Sequence, residues 1–215
     1  MKKAFTLIEL LIVIAIIAIL ALIAIPNFLE AQMRAKVVRV KSDLRTIATA
    51  LEAYIVDYNR APIGFDERMR IGTGVLGFPT VLQFEKYMWS TLTSPVAYMT
   101  TMLWDPFTEK GNPTDNNREK SAYYKYDRPI VTAGVAANIE AARRGLQWVV
   151  YSYGPSRNGN APNGYDRVWP QAAAAGVLDS TFGAGTSACY PSAFYDPSNG
   201  TISYGHLIRS PMRSN

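Results

Sequence analysis

The sequence predicts an α+β fold: a long N-terminal helix, half suited to a membrane and half amphipathic, packed on a small antiparallel sheet with long loops. Three observations carry this. From Phe5 to Ile25 run 21 residues of which only Thr6 and Glu9 are polar. Beyond them Val37, Val40, Leu44, Ile47, Leu51, Tyr54 and Tyr58 recur at alternating steps of three and four, an apolar stripe along one helical face. After residue 59 the texture changes to short aromatic and β-branched segments set among Gly and Pro. They lack the strand–helix alternation of a parallel sheet.

The apolar run comes first in the chain. At 1.5 Å per residue it reaches about 30 Å, the thickness of a bilayer's hydrocarbon core. Lys2 and Lys3 precede it with no acid among the first four residues. That bias keeps the N-terminus cytoplasmic and sends the remainder outward. A cleaved secretory signal fits less well. The run is longer than a usual signal core, no small-x-small cleavage site closes it, and "NFLEAQMRAK" continues the helical pattern. Pro26 removes one backbone bond and crowds the Leu22 carbonyl, so a bend or local unwinding is expected there. Asn59, Ala61 and Pro62 should end the helix.

Glu9 is the anomaly. A carboxylate inside a membrane span costs a few kcal/mol and calls for a partner or a wet cavity. On a helix its neighbours are Phe5, Thr6, Ile12 and Val13, none of them charged. The partner is therefore expected from outside the chain. Cleavage between Ala4 and Phe5 would place a new α-amino group at the right depth, so that Glu9 of one copy could pair with the Phe5 amine of another.

These residues carry a resemblance. "KKAFTLIELLIVIAIIAILALIAIP" resembles the class III prepilin signal of type IV pilins and type II secretion pseudopilins: a basic leader, Phe after the cut, Thr next, Glu fifth, then an apolar helix and a proline. Phe5, Thr6, Glu9 and Pro26 match, and the likeness covers about the first 60 residues. Gly usually precedes the cut; here the sequence departs and has Ala4, still small enough for processing. The resemblance implies processing by a prepilin peptidase with methylation of the Phe5 amine. It further implies polymerisation of the chain with itself and export through an inner-membrane assembly platform, with membrane lipid as the surroundings before assembly. The expected organisation is a leader over 1–4, a membrane and assembly helix over 5–26, its amphipathic half over 27–58, and a head over 59–215 continuous with that half. The head would be periplasmic or extracellular.

Within the head, "PTVLQFEKYMWSTLTSP" reads as a short second helix, and "SAYYKYD", "LQWVVYSY" and "GTISYGHLI" read as strands. The blocks "LTSPVAYM", "DPF", "YSYGPSRNG" and "YDPSNGTISYGHLIRS" resemble, more loosely, the major G-type pseudopilin. In that family a loop between the last strands can bind calcium. The matching stretch here, "GPSRNGNAPNGYD", offers Ser156, Asn158, Asn160 and Asp166. Calcium takes six to eight oxygens, usually with several carboxylates; Asp166 is the one carboxylate in that stretch, so a metal-free Asn/Gly loop is the stronger expectation.

Composition narrows the class. The net charge is +5, or +3 without Lys2 and Lys3, too mild to imply nucleic-acid binding. Five cations (Arg34, Lys36, Arg39, Lys41, Arg45) stand against Asp43 just past the apolar run. They read as a solvated face beside anionic headgroups, or as partners for Glu30, Glu52 or Asp57 of neighbouring copies. The one cysteine, Cys189, allows no internal disulfide, and many type IV pilins have one, which tilts the reading toward the pseudopilin branch. One cysteine, one histidine and no acid pair leave little for catalysis, so no enzyme is expected. A structural filament subunit is the preferred reading. The alternative is a membrane-stalked adhesion or binding protein, in which Glu9 would have no use.

Overall fold

The structure is a computed structural model, and it describes residues 6–64, 81–108, 122–129, 141–156, 195 and 207–211. Its main element is α1, Leu7–Tyr58, 52 residues without a break and about 78 Å long. It begins two residues after Phe5 because Thr6 is the N-cap, with extended backbone at φ −87° and ψ 150°. It ends at Asn59, which turns into the left-handed region at φ 53°, a conformation Asn tolerates better than most residues. Pro26 lies inside the helix. In the single chain the helix stays continuous through it, although Pro26 has no N–H to give.

The second half of α1 supplies the core. Val37, Val40, Leu44, Ile47 and Leu51 are all buried, with Ala48 and Ala50 filling the flank. The stripe fades at its end. Tyr54 is half-buried, while Tyr58 is 45% exposed and stacks on Tyr54 at 4.4 Å between ring centroids. Against this face lies a three-stranded antiparallel sheet, in the order β1 (Lys125–Asp127), β2 (Val149–Ser152), β3 (Leu207–Arg209). Lys125 stands opposite Tyr151, and Tyr151 opposite Ile208. β1 and β2 are shorter than the segments that predicted them; β3 runs one residue past its segment, whose residues 200–206 lie outside the described residues. The second helix is present as α2, Val81–Ser90, which buries Met88 and Trp89 beside Leu92.

Tyrosines fasten the sheet to α1 and its exit. Tyr124 donates its hydroxyl to Asp43 at 2.7 Å, and Tyr126 donates to the Pro62 carbonyl at 2.8 Å. Arg128 donates to the Ala61 carbonyl at 2.9 Å. Gly64 passes so near that a Cβ there would sit 2.5 Å from the Arg128 nitrogen, so only glycine fits.

β1 and β2 are buried along their whole length. Alternation is lost, and polar strand residues go inside with the rest. Lys125 is fully buried. Its Nζ donates to the Tyr123 carbonyl at 3.1 Å, stands 3.8 Å from Glu85 Oε2 and faces the Tyr153 ring at 5.8 Å. Asp105 is buried nearby and accepts from the Phe107 N–H at 2.9 Å. Burial pushes its carboxyl up from the ordinary value, against the opposing pull of the Ser152 hydroxyl, the Phe107 N–H and Lys125.

Candidate functional site

The candidate site is the first half of α1, because it is an apolar surface with no cover. No residue from Thr6 to Lys36 is buried. Leu22 is 78% exposed and Phe28 63%. Leaving a Leu, Ile or Phe side chain in water costs roughly 1.5–3 kcal/mol each, so a surface of this extent has to be covered by lipid or by other helices. The helix is long and apolar enough to cross a membrane. The mantle is apolar all round, the pattern of a helix buried on every side.

At its tip, Thr6 and Glu9 form a capping box. The Thr6 N–H and its Oγ1–H both donate to Glu9 Oε2, at 2.9 and 2.7 Å, and the Glu9 N–H donates to Thr6 Oγ1 at 3.3 Å. Two of the helix's orphan donors are thereby satisfied. This corrects the expectation that Glu9 has no partner within the chain. Thr6 is neutral and does not count as a charge partner, although "TLIE" is a capping-box signature in the sequence. The correction is partial: both donors go to Oε2, and among the described residues none donates to Oε1.

Thr6, Glu9 and Pro26 thus lie on one continuous uncovered helix; Ala4 and Phe5 lie outside the described residues. So do Asn158, Asn160 and Asp166, the suggested calcium ligands. Their donor set has one carboxylate, which falls short of what calcium sites usually carry. Ser156 closes a 3₁₀ turn, Gly154–Ser156. Among the described residues no group of three His, Cys, Asp or Glu could hold a metal ion.

The cationic band beyond the apolar run is partly neutralised from within. Arg34 pairs with Glu30 at 2.5 Å, and Arg39 stands 3.7 Å from Asp43. Asp57 accepts from the Tyr98 hydroxyl at 2.5 Å; that bond, with burial and the Asp57 charge, pushes the phenol up to about 12. Of the three acids suggested as partners for neighbouring copies, Glu30 and Asp57 are therefore engaged at home. Glu52 is exposed.

Comparison with known proteins points to the same segment. A family model described as the prokaryotic N-terminal methylation motif matches residues 1–25. The type IV major pilin protein PilA of Myxococcus xanthus is 48% identical over 58 residues, 27% of this chain and 26% of that protein. The type IV major fimbrial protein FimA of Dichelobacter nodosus is 48% identical over 61 residues, 28% of this chain and 38% of that protein. The likeness therefore spans well under half the length of either relative. No solved structure gives a significant match. The N-terminal segment is thus similar to those of type IV pilins, and the matches do not single out the G-type pseudopilins.

Proposed function

We propose that this chain is a structural subunit of a type IV pilus-like filament, a pilin or a secretion pseudopilin, that polymerises through its N-terminal helix after removal of residues 1–4. One observation carries the reading: α1 is a single helix whose second half is the core of the head and whose first half is an apolar surface with nothing of its own chain upon it. An adhesion stalk would need the membrane span but not Glu9. A polymer uses both, since uncovered helices packed side by side exchange lipid for one another, and the open Oε1 of Glu9 can take the Phe5 amine of the next copy.

In this reading the leader keeps the N-terminus in the cytoplasm, a prepilin peptidase cuts between Ala4 and Phe5 and methylates the new amine, and an inner-membrane platform lifts subunits out of the lipid. The head then faces the periplasm or the exterior. No catalytic role is assigned to the chain. N-terminal mass analysis of protein from the native host tests the reading. The expected mature chain starts at a methylated Phe5; one that starts at Met1, or beyond Pro26, would overturn it. Imaging the native filament would separate a pilus from a secretion pseudopilus.

A further inference from the structure

Two cations left over from the charge pairing meet at one place. Lys41 on α1 and Arg209 at the end of β3 both line a shallow notch floored by Leu44, Leu207 and Ile208. Both are half-buried, and neither has a carboxylate within ion-pair distance among the described residues. Arg45 lies one helical turn beyond Lys41, exposed and likewise without an acid partner among the described residues. Like charges at i and i+4 repel on a helix, and β3 brings a third cation to the same neighbourhood. The nearest acid in sequence, Asp43, is held by the Tyr124 hydroxyl and by Arg39. Among the described residues, the α1–β3 seam thus gathers positive charge without the negative charge to match it.

We propose that this seam is a seat for a phosphate-type oxyanion, held between the Arg209 guanidinium and the Lys41 ammonium with Arg45 at its rim. Arginine presents a planar fork that fits phosphate oxygens two at a time, and lysine adds a point charge. The enclosed space is only about 10 Å³, room for a single water, so the ligand is a small tetrahedral group perched on the notch rather than a molecule swallowed by it. Height along the helix selects its source. Lys41 is 12 residues beyond Leu29, the last of the exposed apolar residues on the membrane half. That is about 18 Å, whereas the headgroup layer extends only about 5–8 Å past the hydrocarbon. Bilayer phosphates therefore fall short, and the seat takes a phosphate from solution or from a soluble polyanion.

The test uses the full chain in nanodiscs of zwitterionic lipid. Its melting temperature is followed while sodium phosphate replaces sodium chloride at constant ionic strength. The expected result is a saturable rise with phosphate, lost in the Lys41→Gln/Arg209→Gln double variant and kept in Lys36→Gln, whose cation does not line the notch. Arg209→Lys, which keeps the charge but not the fork, should weaken the midpoint several-fold; it supplies the answer if the double variant does not fold. Discs containing phosphatidylglycerol, without free phosphate, should give no rise. A rise there that Lys41→Gln removes would overturn the assigned source. Equal curves in phosphate and chloride, or an undiminished rise in the double variant with Arg209→Lys also unchanged, would overturn the site, an adventitious ion being all that is left.

Discussion

The two halves of α1 share one backbone and differ in what surrounds them. From Thr6 to Lys36 nothing is buried, and from Val37 to Leu51 a regular face is. No cap, turn or break divides the halves; Pro26 lies some ten residues before burial begins and leaves the helix whole. The boundary is therefore drawn by side chains. Leu and Ile on every side make a surface that dissolves in lipid, whereas the same residues at steps of three and four make a face that folds a head. Because the helix is continuous, the head is built directly on the element that the membrane, or a neighbouring helix, holds.

The sharpest way to break that contrast is at Glu9. Glu9→Leu should insert into the membrane at least as well as the native chain, since a buried charge is removed. Filament yield should nonetheless collapse: a charged hydrogen bond is worth about 1.5–3 kcal/mol, tenfold or more at every addition step. Immunoblots of sheared filaments against membrane fractions would measure it, and normal filaments from Glu9→Leu would refute the pairing. The head's most sensitive point should be Lys125. Lys125→Met takes from the buried Glu85 the cation 3.8 Å away, at a cost of about 3–5 kcal/mol, read as lost melting temperature with the anchor unaffected.

A matched pair sharpens the comparison further. Leu51→Ala, at a fully buried position, should destabilise the head by about 2–5 kcal/mol. Leu22→Ala, on the uncovered half, should leave head melting unchanged. Equal losses would mean that the halves do not fold independently of what covers the first. Asp105→Asn should act more gently. Its raised carboxyl holds a proton more tightly folded than unfolded, so native stability falls as pH climbs from the ordinary carboxylate range through the raised value. The amide variant keeps an acceptor for the Phe107 N–H and lacks that fall. Its melting temperature should exceed the native one near about pH 7, with the gain shrinking toward about pH 4. Smallest of all, Arg34→Ala breaks an exposed i,i+4 pair with Glu30 and should cost only about 0.3–0.5 kcal/mol.

The helix was legible because its two signals are long: 21 residues of apolar run, and a stripe repeated over six turns. Its start was not, since that depends on a local bond: Thr6 caps the helix, where the apolar run alone would begin it at Phe5. The first two strands were placed correctly but too long, because aromatic composition runs past the few residues that pair. Lys125, amid "YYKYD", gave no hint of complete burial; a lysine in a strand ordinarily points to water, and only the cover on both faces sends it inward. At the candidate site, Glu9 was found from its cost and Thr6 was missed as its partner, since hydrogen bonds from neutral groups do not register in a count of charges.

The capping box also bears on how firmly such a subunit is committed to one state. Glu9 does not wait in the lipid as a bare charge; its own threonine has stowed one oxygen, and the other is open. Under the proposed assembly, a neighbour's amine at the open oxygen would add a partner and leave the cap in place. In the proposed polymer the subunit could therefore change its surroundings without rebuilding the end of its helix.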